Sequence, residues 1–423
     1  MQAAEGTAAP RRAALIFIFF TVLLDMLAVG MIVPVLPKLV TDFMGGDAAN
    51  GARMFGLFGS VWALMQFFFS PILGAVSDRF GRRPVILVSN FGLGLDYILM
   101  AMAPNLSWLF LGRVISGITA ASVPTASAYI ADVTPPEKRA GAFGMLGAAF
   151  GIGFVVGPAV GGLLGVVSPR LPFWVAAGLS LANACYGLFV LPESHHLDRR
   201  KAFSWKRANP VGALSLLRSH RELFGVASVN WLAYLAHEAL PSTFVLYTSY
   251  RYGWDQRTVG LTLGAVGICS GIVQGGLVRK VVPRIGERKA LLAGLFFAAA
   301  SFIGMGLASS PLLFWLTIPL SALGGLAGPS AQGIMSRRVS ASEQGQLQGA
   351  NTSLRGISGL IGPGIFTATF AAFLPGQTEH FALPGAAFVL AGILVSLSIP
   401  LALWVTRSDE AVPAAVGAES QSS

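Results

Sequence analysis

The stretch "GAVSDRFGRRPVILVSN", residues 74–90, decides how this chain is organised. Four charged residues, Asp78, Arg79, Arg82 and Arg83, lie close together in it, and long apolar runs precede and follow them. Only 11% of the chain is charged, so a charge cluster between two apolar runs is a distinctive feature. Clusters of arginine between long apolar runs are typical of the cytoplasmic loops of membrane proteins.

The composition supports a membrane protein. Apolar residues make up 54% of the chain, and the mean hydropathy is +0.67. A soluble protein carries about 25% charged residues, more than twice the share found here. This chain has too few polar residues to cover a surface in water, so most of its surface must face lipid.

The net charge of +10 does not indicate a nucleic-acid partner, because the basic residues form short clusters between apolar runs. Cys185 and Cys269 both lie inside apolar runs, so the sequence predicts no disulfide and no metal site.

The first apolar run follows Arg11 and Arg12, contains Asp25 and lacks a small-residue cleavage site. We therefore interpret it as a retained helix and not as a signal peptide.

A helix needs about 20 mostly apolar residues to cross a bilayer. The sequence contains twelve such runs, which we number as spans 1 to 12. They lie near residues 13–37, 54–77, 84–103, 107–131, 140–166, 171–191, 222–249, 257–281, 289–309, 312–335, 346–373 and 383–406. The sequence thus predicts an all-α integral membrane protein.

The longest polar segment divides the spans into two sets of six. We predict a six-helix bundle over residues 1–191, a cytoplasmic linker over 192–221 and a second six-helix bundle over 222–406. Residues 407–423 are predicted to form a disordered cytoplasmic tail.

The distribution of basic residues predicts the orientation. Of the 29 Lys and Arg residues, Arg113 and Arg355 lie well inside predicted spans, and most of the others fall in the loops on one side or at the span ends that border them. The loops on the other side hold only Lys38, Arg53, Arg170, Arg251 and Arg257. Since basic loops stay in the cytoplasm, we expect both termini and the 74–90 stretch to be cytoplasmic.

The two halves repeat each other at an offset of 205 residues. At this offset seven residues recur with the same identity. They are Arg79 and Arg284, Gly81 and Gly286, Arg83 and Arg288, Pro124 and Pro329, Gly144 and Gly349, Gly157 and Gly362, and Pro158 and Pro363. Such matches predict a duplication, which is a common way to build transporters. The charges are not all repeated, because Asp78, Arg82 and Arg113 correspond to Pro283, Glu287 and Ile318.

Three motifs carry a resemblance to a known family. "GAVSDRFGRRP" resembles the loop 2–3 signature of the major facilitator superfamily, and "LGRVISGIT" with Arg113 resembles its span 4 signature. "GFVVGPAVGG" in span 5 resembles the antiporter signature, at positions Gly153, Gly157, Pro158, Gly161 and Gly162. The chain is most similar to the twelve-helix drug:proton antiporters, and among them to the tetracycline-resistance carriers.

This resemblance implies two pseudo-symmetric six-helix bundles and a proton-coupled antiporter that exports a small amphipathic drug or metabolite by alternating access. It further implies multidrug efflux or antibiotic resistance, no enzymatic activity, no cofactor, and a functional monomer in lipid, in a bacterial inner membrane. The alternative is a proton symporter or a facilitator for a sugar-like or other polar solute. A receptor or enzyme is disfavoured, since the sequence has no catalytic Ser/His/Asp arrangement, metal-ligand cluster or phosphate loop.

The chain departs from the tetracycline carriers at two places. Those carriers have an acid in span 9, where "ALLAGLFFAAASFIGMG" has none, and often a histidine in span 8, where Ser270 stands here. Span 7 instead contains His237 and Glu238. The substrate therefore stays open, and tetracycline is not specifically predicted.

Charged residues inside a membrane are costly and indicate function. We expect proton coupling to involve Asp25, Asp96, Arg113, His237 and Glu238, with Asp25 as the first candidate and Arg113 as its charge partner. Burial and a nearby arginine act in opposite directions on a carboxylate's proton affinity, so such a group can load and release a proton. The alternative is that some of these residues form structural ion pairs between helices.

A substrate cavity is predicted from polar and aromatic residues within the spans, which need partners in the membrane. The candidates are Gln66, Tyr97, Tyr129, Asn230, Trp231, Tyr234, Gln274 and Arg355.

The 74–90 stretch and span 5 are predicted to support gating. We expect a cytoplasmic latch between the bundles formed by Gly74, Asp78, Arg79, Gly81, Arg82 and Arg83. The alternative for Asp78 is a local pair with Arg82 that only orders the loop. The span 5 glycines have the small-xxx-small spacing that permits close helix packing, and Pro158 is expected to bend the helix.

Overall fold

The computed structural model describes residues 8–195, 209, 212–340, 342–377 and 382–407, and in these residues the chain is helical without a β-strand. Half of the predicted linker and nearly all of the predicted tail lie outside the described residues.

The helices follow the predicted spans. In the first half they are Ala8–Ile32 and Leu36–Phe43 (span 1), Ala48–Phe80 (span 2), Arg82–Met102 (span 3), Leu106–Thr119 and Ser122–Val133 (span 4), Arg139–Val167 (span 5) and Leu171–Val190 (span 6). In the second half they are Arg221–His237 and Ala239–Tyr252 (span 7), Gln256–Ile272, a π-helix Val273–Leu277 and Val278–Ile285 (span 8), Glu287–Leu307 (span 9), Pro311–Gly324 and Ala327–Arg337 (span 10), Gln344–Ala372 (span 11) and Ala386–Val405 (span 12). A short helix, Ser215–Ser219, precedes span 7.

Ten of the twelve spans, counted in the described residues, are long and apolar enough to cross a membrane. The other two are helical as well. Span 7 is divided into two short helices at Glu238, and span 11 is continuous but begins with a polar stretch at Gln344. The predicted all-α membrane architecture is confirmed.

Local sequence explains where several helices begin. The Asp47 carboxylate caps span 2 by accepting hydrogen bonds from the backbone N–H groups of Ala49 and Asn50, and the Asn105 side chain caps span 4. Gly81 has a φ of 111°, which only glycine adopts readily, and it lets the chain turn directly from span 2 into span 3.

The structure repeats the sequence offset. The helix of span 9, Glu287–Leu307, lies 205 positions after that of span 3, Arg82–Met102, and has the same length. The interruption of span 10 after Gly324 likewise follows that of span 4 after Thr119 at the same offset. The helix bounds therefore agree with the duplication inferred from the sequence.

The chain divides into two compact units. Unit 1 comprises Met1–Pro210, Leu240–Ile268 and Gly359–Pro384, and unit 2 comprises Val211–Ala239, Cys269–Ser358 and Gly385–Ser423. Unit 1 thus includes parts of spans 7, 8 and 11 together with the first six spans. The predicted domain boundaries stay predictions.

Two apolar clusters form the core of unit 1. We call the end of the spans at residues 74–90 the inner end, and the opposite end the outer end. The inner cluster includes Phe17, Ile18 and Ile86, and the outer cluster includes Met31 and Phe173. Along span 1 the two clusters are separated by a short stretch that contains Asp25, and this stretch is where the candidate site lies.

Candidate functional site

Asp25 lies in the interior of unit 1, between the two apolar clusters. Its side chain is only 2% exposed, and neither carboxylate oxygen has a hydrogen-bond partner among the described residues. The polar side chain beside it is Ser122, at the start of the second helix of span 4. Because burial disfavours an unpaired charge, this carboxyl group is suited to gaining and losing a proton.

Asp96 on span 3 is the second buried acid of unit 1, and it is 1% exposed. It lies against Gly112 of span 4, where an added Cβ would be 2.9 Å from Asp96 Oδ1. Arg113 and Ser116 of the same span are its electrostatic and polar neighbours. The glycine thus lets the two spans approach closely enough to bring an arginine to this carboxylate.

Arg113 is held between an acid and an aromatic ring. Its guanidinium carbon lies 5.5 Å from the centre of the Trp62 ring, within the range of a cation–π contact. Its described electrostatic neighbours are Asp96 and Tyr97. The structure therefore brings Arg113 to Asp96, and the pairing with Asp25 stays a prediction.

Unit 2 holds a second group of predicted site residues around the break in span 7. Glu238 lies at the break, and Arg355 of span 11 is an electrostatic neighbour of Glu238 and of the exposed His237. The Arg355 guanidinium carbon lies 4.7 Å from the centre of the Tyr234 ring. Asn230 Nδ2 donates a hydrogen bond of 3.1 Å to the Tyr234 hydroxyl. Interrupted membrane helices often form binding sites, because their ends expose polar backbone groups.

The other residues predicted to line a cavity have different surroundings. Gln66 is half-buried, and Gln274 is exposed on the π-helix of span 8, beside Gly325 at the break of span 10. Trp231 is half-buried, and its Nε1 has no hydrogen-bond partner among the described residues. A π-helix inside a helix is frequent at functional sites, so Gln274 remains a candidate.

The placement of Tyr97 and Tyr129 does not fit a cavity wall. Tyr97 packs in the outer apolar cluster and Tyr129 in the inner one, and both are almost completely buried. The Tyr129 hydroxyl donates a hydrogen bond of 3.0 Å to the Pro192 carbonyl. Both rings fill the core of the unit, because their helix faces turn toward the neighbouring spans.

The glycines of span 5 allow two close helix contacts. Toward span 1, Gly157 lies against Gly30, and Gly153 and Gly161 pack against the backbone of the same span. Toward span 8, a Cβ on Gly162 would overlap the Gln256 carbonyl, and Pro158 O lies against Gly260. The whole predicted motif therefore lies at backbone-to-backbone contacts, which agrees with its predicted packing role.

The charges of the 74–90 stretch form a network at the inner end of unit 1. Arg82 Nη1 lies 2.6 Å from Asp78 Oδ1, and Arg82 Nε lies 3.1 Å from Asp132 Oδ2. Glu193 accepts hydrogen bonds from the backbone N–H groups of Arg82 and Arg83, at 2.9 and 3.3 Å. A carboxylate at these first amides of span 3 complements the helix dipole.

The network contains the local Asp78–Arg82 pair that was the alternative to a latch, and the latch itself stays a prediction. Among the described residues, no heavy atom outside its own helix lies within 4 Å of a Cβ built on Gly74. Arg79 extends over the Phe80 ring instead of joining the network, with its guanidinium carbon 5.1 Å from the ring centre.

Sequence reasoning missed several residues of these sites. Asp132 and Glu193 join the inner network, and Ser122 and Ser116 accompany the two buried acids. The repeat offers a signal for Asp132, because it corresponds to the charged Arg337. Glu193 is the first acid after span 6. The serines give no comparable signal, since serine is common in membrane helices.

Comparisons with known proteins agree with this architecture. The family described as the Major Facilitator Superfamily matches residues 18–363. The class C tetracycline resistance protein of Escherichia coli is 38% identical over 362 residues, covering 85% of this chain and 90% of that protein. The class B protein of Escherichia coli is 35% identical, covering 90% of this chain and 94% of that protein.

Solved structures give the same fold. A bacterial homologue of the human lysosomal transporter Spinster has a TM-score of 0.77 at 17% identity, covering 95% of this chain and 98% of that chain. The human organic anion transporter MFSD10 has a TM-score of 0.69 at 23% identity, covering 93% of this chain and 99% of that chain.

Proposed function

The chain belongs to the Major Facilitator Superfamily, and we propose that it is a proton-coupled antiporter that exports a small amphipathic drug or metabolite. The observation that carries the proposal is Asp25, a buried carboxylate whose oxygens have no hydrogen-bond partner among the described residues. A group of this kind is costly to the fold and is retained in membrane helices where protons or ions are moved.

The roles divide between the two units. In unit 1, Asp25 exchanges the proton, and Asp96 and Arg113 are electrostatic neighbours of each other. In unit 2, Asn230, Tyr234, Glu238 and Arg355 supply hydrogen bonds, a ring and both signs of charge for a substrate. The span 5 motif favours antiport over symport, because it resembles the antiporter signature.

Tetracycline is the first compound to test, because the relatives named above are tetracycline resistance proteins. A panel of amphipathic drugs follows, since span 9 lacks an acid. We further propose that the chain works as a monomer in the bacterial inner membrane with both termini in the cytoplasm. It would be driven by the proton gradient without a cofactor, and would catalyse no chemical reaction.

The test uses the purified full-length chain in liposomes that contain a pH-sensitive dye. Each compound is added under an imposed proton gradient, and proton and substrate fluxes are recorded together. We expect substrate to move against the proton flux, and the flux to stop when an ionophore removes the gradient. A substrate flux that does not respond to the gradient would show a facilitator, and flux of both in the same direction would show a symporter.

A further inference from the structure

Three polar residues that the proposed mechanism does not use lie buried in unit 1. Asn90 of span 3 is fully buried, and neither its amide nitrogen nor its amide oxygen has a hydrogen-bond partner among the described residues. Asn183 of span 6 is 2% exposed and accepts a hydrogen bond of 3.2 Å from Thr21 Oγ1, while its Nδ2 has no partner in the described part of the chain. Buried polar atoms are almost always paired, so these side chains need an explanation.

The packing of spans 3 and 6 brings the two asparagines to the same depth. Gly187 of span 6 lies against Leu87 of span 3. Asn90 follows Leu87 by three residues and Asn183 precedes Gly187 by four, so each lies one turn further along the contacting face. Because the two spans run in opposite directions, those turns lead to the same level.

Asp25 lies about one turn further toward the outer end. Thr21, which is bonded to Asn183, precedes Asp25 by four residues on the same face of span 1. Ser180 precedes Asn183 by three residues, and its buried hydroxyl has no partner among the described residues. The antiparallel register of spans 1 and 6 therefore places Ser180 beside the depth of Asp25, with the asparagines about one turn toward the inner end.

The second half of the chain shows that the fold does not require these amides. Leu295 follows Asn90 at the offset of 205 residues and is 1% exposed in the matching helix. Spans 6 and 12 are helices of 20 residues each, and their alignment places Ser398 where span 6 has Asn183. The Ser398 hydroxyl donates to the Val395 carbonyl of its own helix, so it needs no further partner.

We propose that Thr21, Asn90 and Asn183 form a polar pocket that holds water against the Asp25 carboxyl group and so stabilises its ionised form. The pocket offers both donors and acceptors but no charge of its own, which fits water rather than an inorganic ion. These three residues act through water on Asp25 and are positioning residues. The inference rests on the proposed function only in taking Asp25 as the group that exchanges the proton.

The test measures the protonation of Asp25 directly. An infrared pH titration of the purified chain records the carboxyl band, and Asp25→Asn identifies the part that belongs to Asp25. Thr21→Val keeps the side-chain volume but removes the hydroxyl, and Asn90→Leu introduces the residue found in the second half. We expect both substitutions to move the midpoint of the Asp25 band upward by about one pH unit, because each removes stabilisation of the ionised form.

Ser301→Ala is the matched control, since Ser301 has a buried hydroxyl without a described partner in the second half. It should leave the midpoint unchanged. An unchanged midpoint in Thr21→Val and Asn90→Leu, with lower thermal stability, would show that the residues only hold the helices together and would overturn the pocket. Failure of the proposed function would give a different result. The Asp25 band would then still titrate and its midpoint would shift in both variants, but the liposomes would show no proton-coupled flux.

Discussion

Arg82 and Asp132 form an ion pair that ties the start of span 3 to the end of span 4, with Arg82 Nε 3.1 Å from Asp132 Oδ2. The residues 205 positions further on, Glu287 and Arg337, form the same pair between spans 9 and 10 with the charges exchanged. The duplicated halves therefore keep the interaction while its sign has reversed. A position at which either sign serves is one where the pairing itself matters.

The exchanged charges predict a rescue in the second half. Glu287→Arg and Arg337→Glu should each lower thermal stability by roughly 0.5–1 kcal/mol, because the pair is partly exposed and each change brings like charges together. The double variant should restore most of the loss, as judged by thermal unfolding and transport. A double variant no better than the singles would show that the side chains serve other contacts.

The first half should behave differently under the same exchange. Arg82 also pairs with Asp78 and donates to the Ser77 hydroxyl at 2.6 Å, so Arg82→Glu places an acid beside Asp78. The double variant Arg82→Glu with Asp132→Arg is therefore expected to stay impaired. Its full recovery would argue that Asp78 and Ser77 contribute little at this end of the bundle.

Asp25→Asn should remove proton-driven transport while leaving substrate binding in place. The amide is close to the carboxyl in size, so packing around this buried position is retained, whereas the group no longer takes up or releases a proton. Binding is measured by calorimetry and transport in liposomes, with Asp42→Asn at an exposed site as control. Unchanged active transport would remove Asp25 from the coupling site and direct attention to Asp96.

The cap of span 2 predicts a local pH dependence at the outer end. Hydrogen bonds to the Asp47 carboxylate hold its pKa below the ordinary value of 3.8, and the largest effect comes from the bond that the Asn50 backbone N–H donates. A carboxyl group whose pKa is lowered in the folded state stabilises the folded state fully at a pH above its ordinary pKa. This stabilisation is lost as the pH falls through the lowered pKa.

Hydrogen exchange at the amides of Ala49 and Asn50 provides the measurement. Below pH 3.8, the protection factors of these two amides in the wild type should fall, after correction for the intrinsic exchange rate at each pH. Asp47→Asn keeps an acceptor and should remove the extra dependence, whereas Asp47→Ala should lose protection at every pH. Equal protection in all three chains would show that the cap does not hold the helix end.

The span pattern could be predicted from the sequence because lipid imposes it. Apolar length and repeated glycine and proline give the twelve spans and the duplication without any knowledge of packing, and the orientation that the basic loops predict stays a prediction. The interruption of span 7 at Glu238 was not predicted, although Pro241 offers a signal, because a proline cannot donate the backbone hydrogen bond to the carbonyl four residues earlier, that of His237. The apolar run continues on both sides of Glu238, so hydropathy alone gives a single span.

The candidate site was predictable in part for the same reason. A charge in an apolar run identifies Asp25, Asp96 and Arg113 one at a time, but does not give the pairing between spans. The partner of Arg113 depends on Gly112, whose missing side chain brings span 4 close to Asp96. Tyr97 and Tyr129 were expected to line a cavity but are buried in the core, because a sequence pattern does not tell which helix face points into the core and which into a cavity.

The contact between spans 5 and 8 gives the last prediction. Gly162 meets the backbone at Gln256 and Gly260 so closely that a methyl group would overlap the Gln256 carbonyl. Gly162→Ala should force the helices apart and allow protons to leak in the absence of substrate, measured as faster dissipation of an acid pulse in liposomes. Gly151→Ala is the control, because a Cβ built on Gly151 in the same helix has no heavy atom of another element within 4 Å. If both variants keep the gradient as well as the wild type, the glycines of span 5 serve helix packing alone and the barrier to protons lies elsewhere.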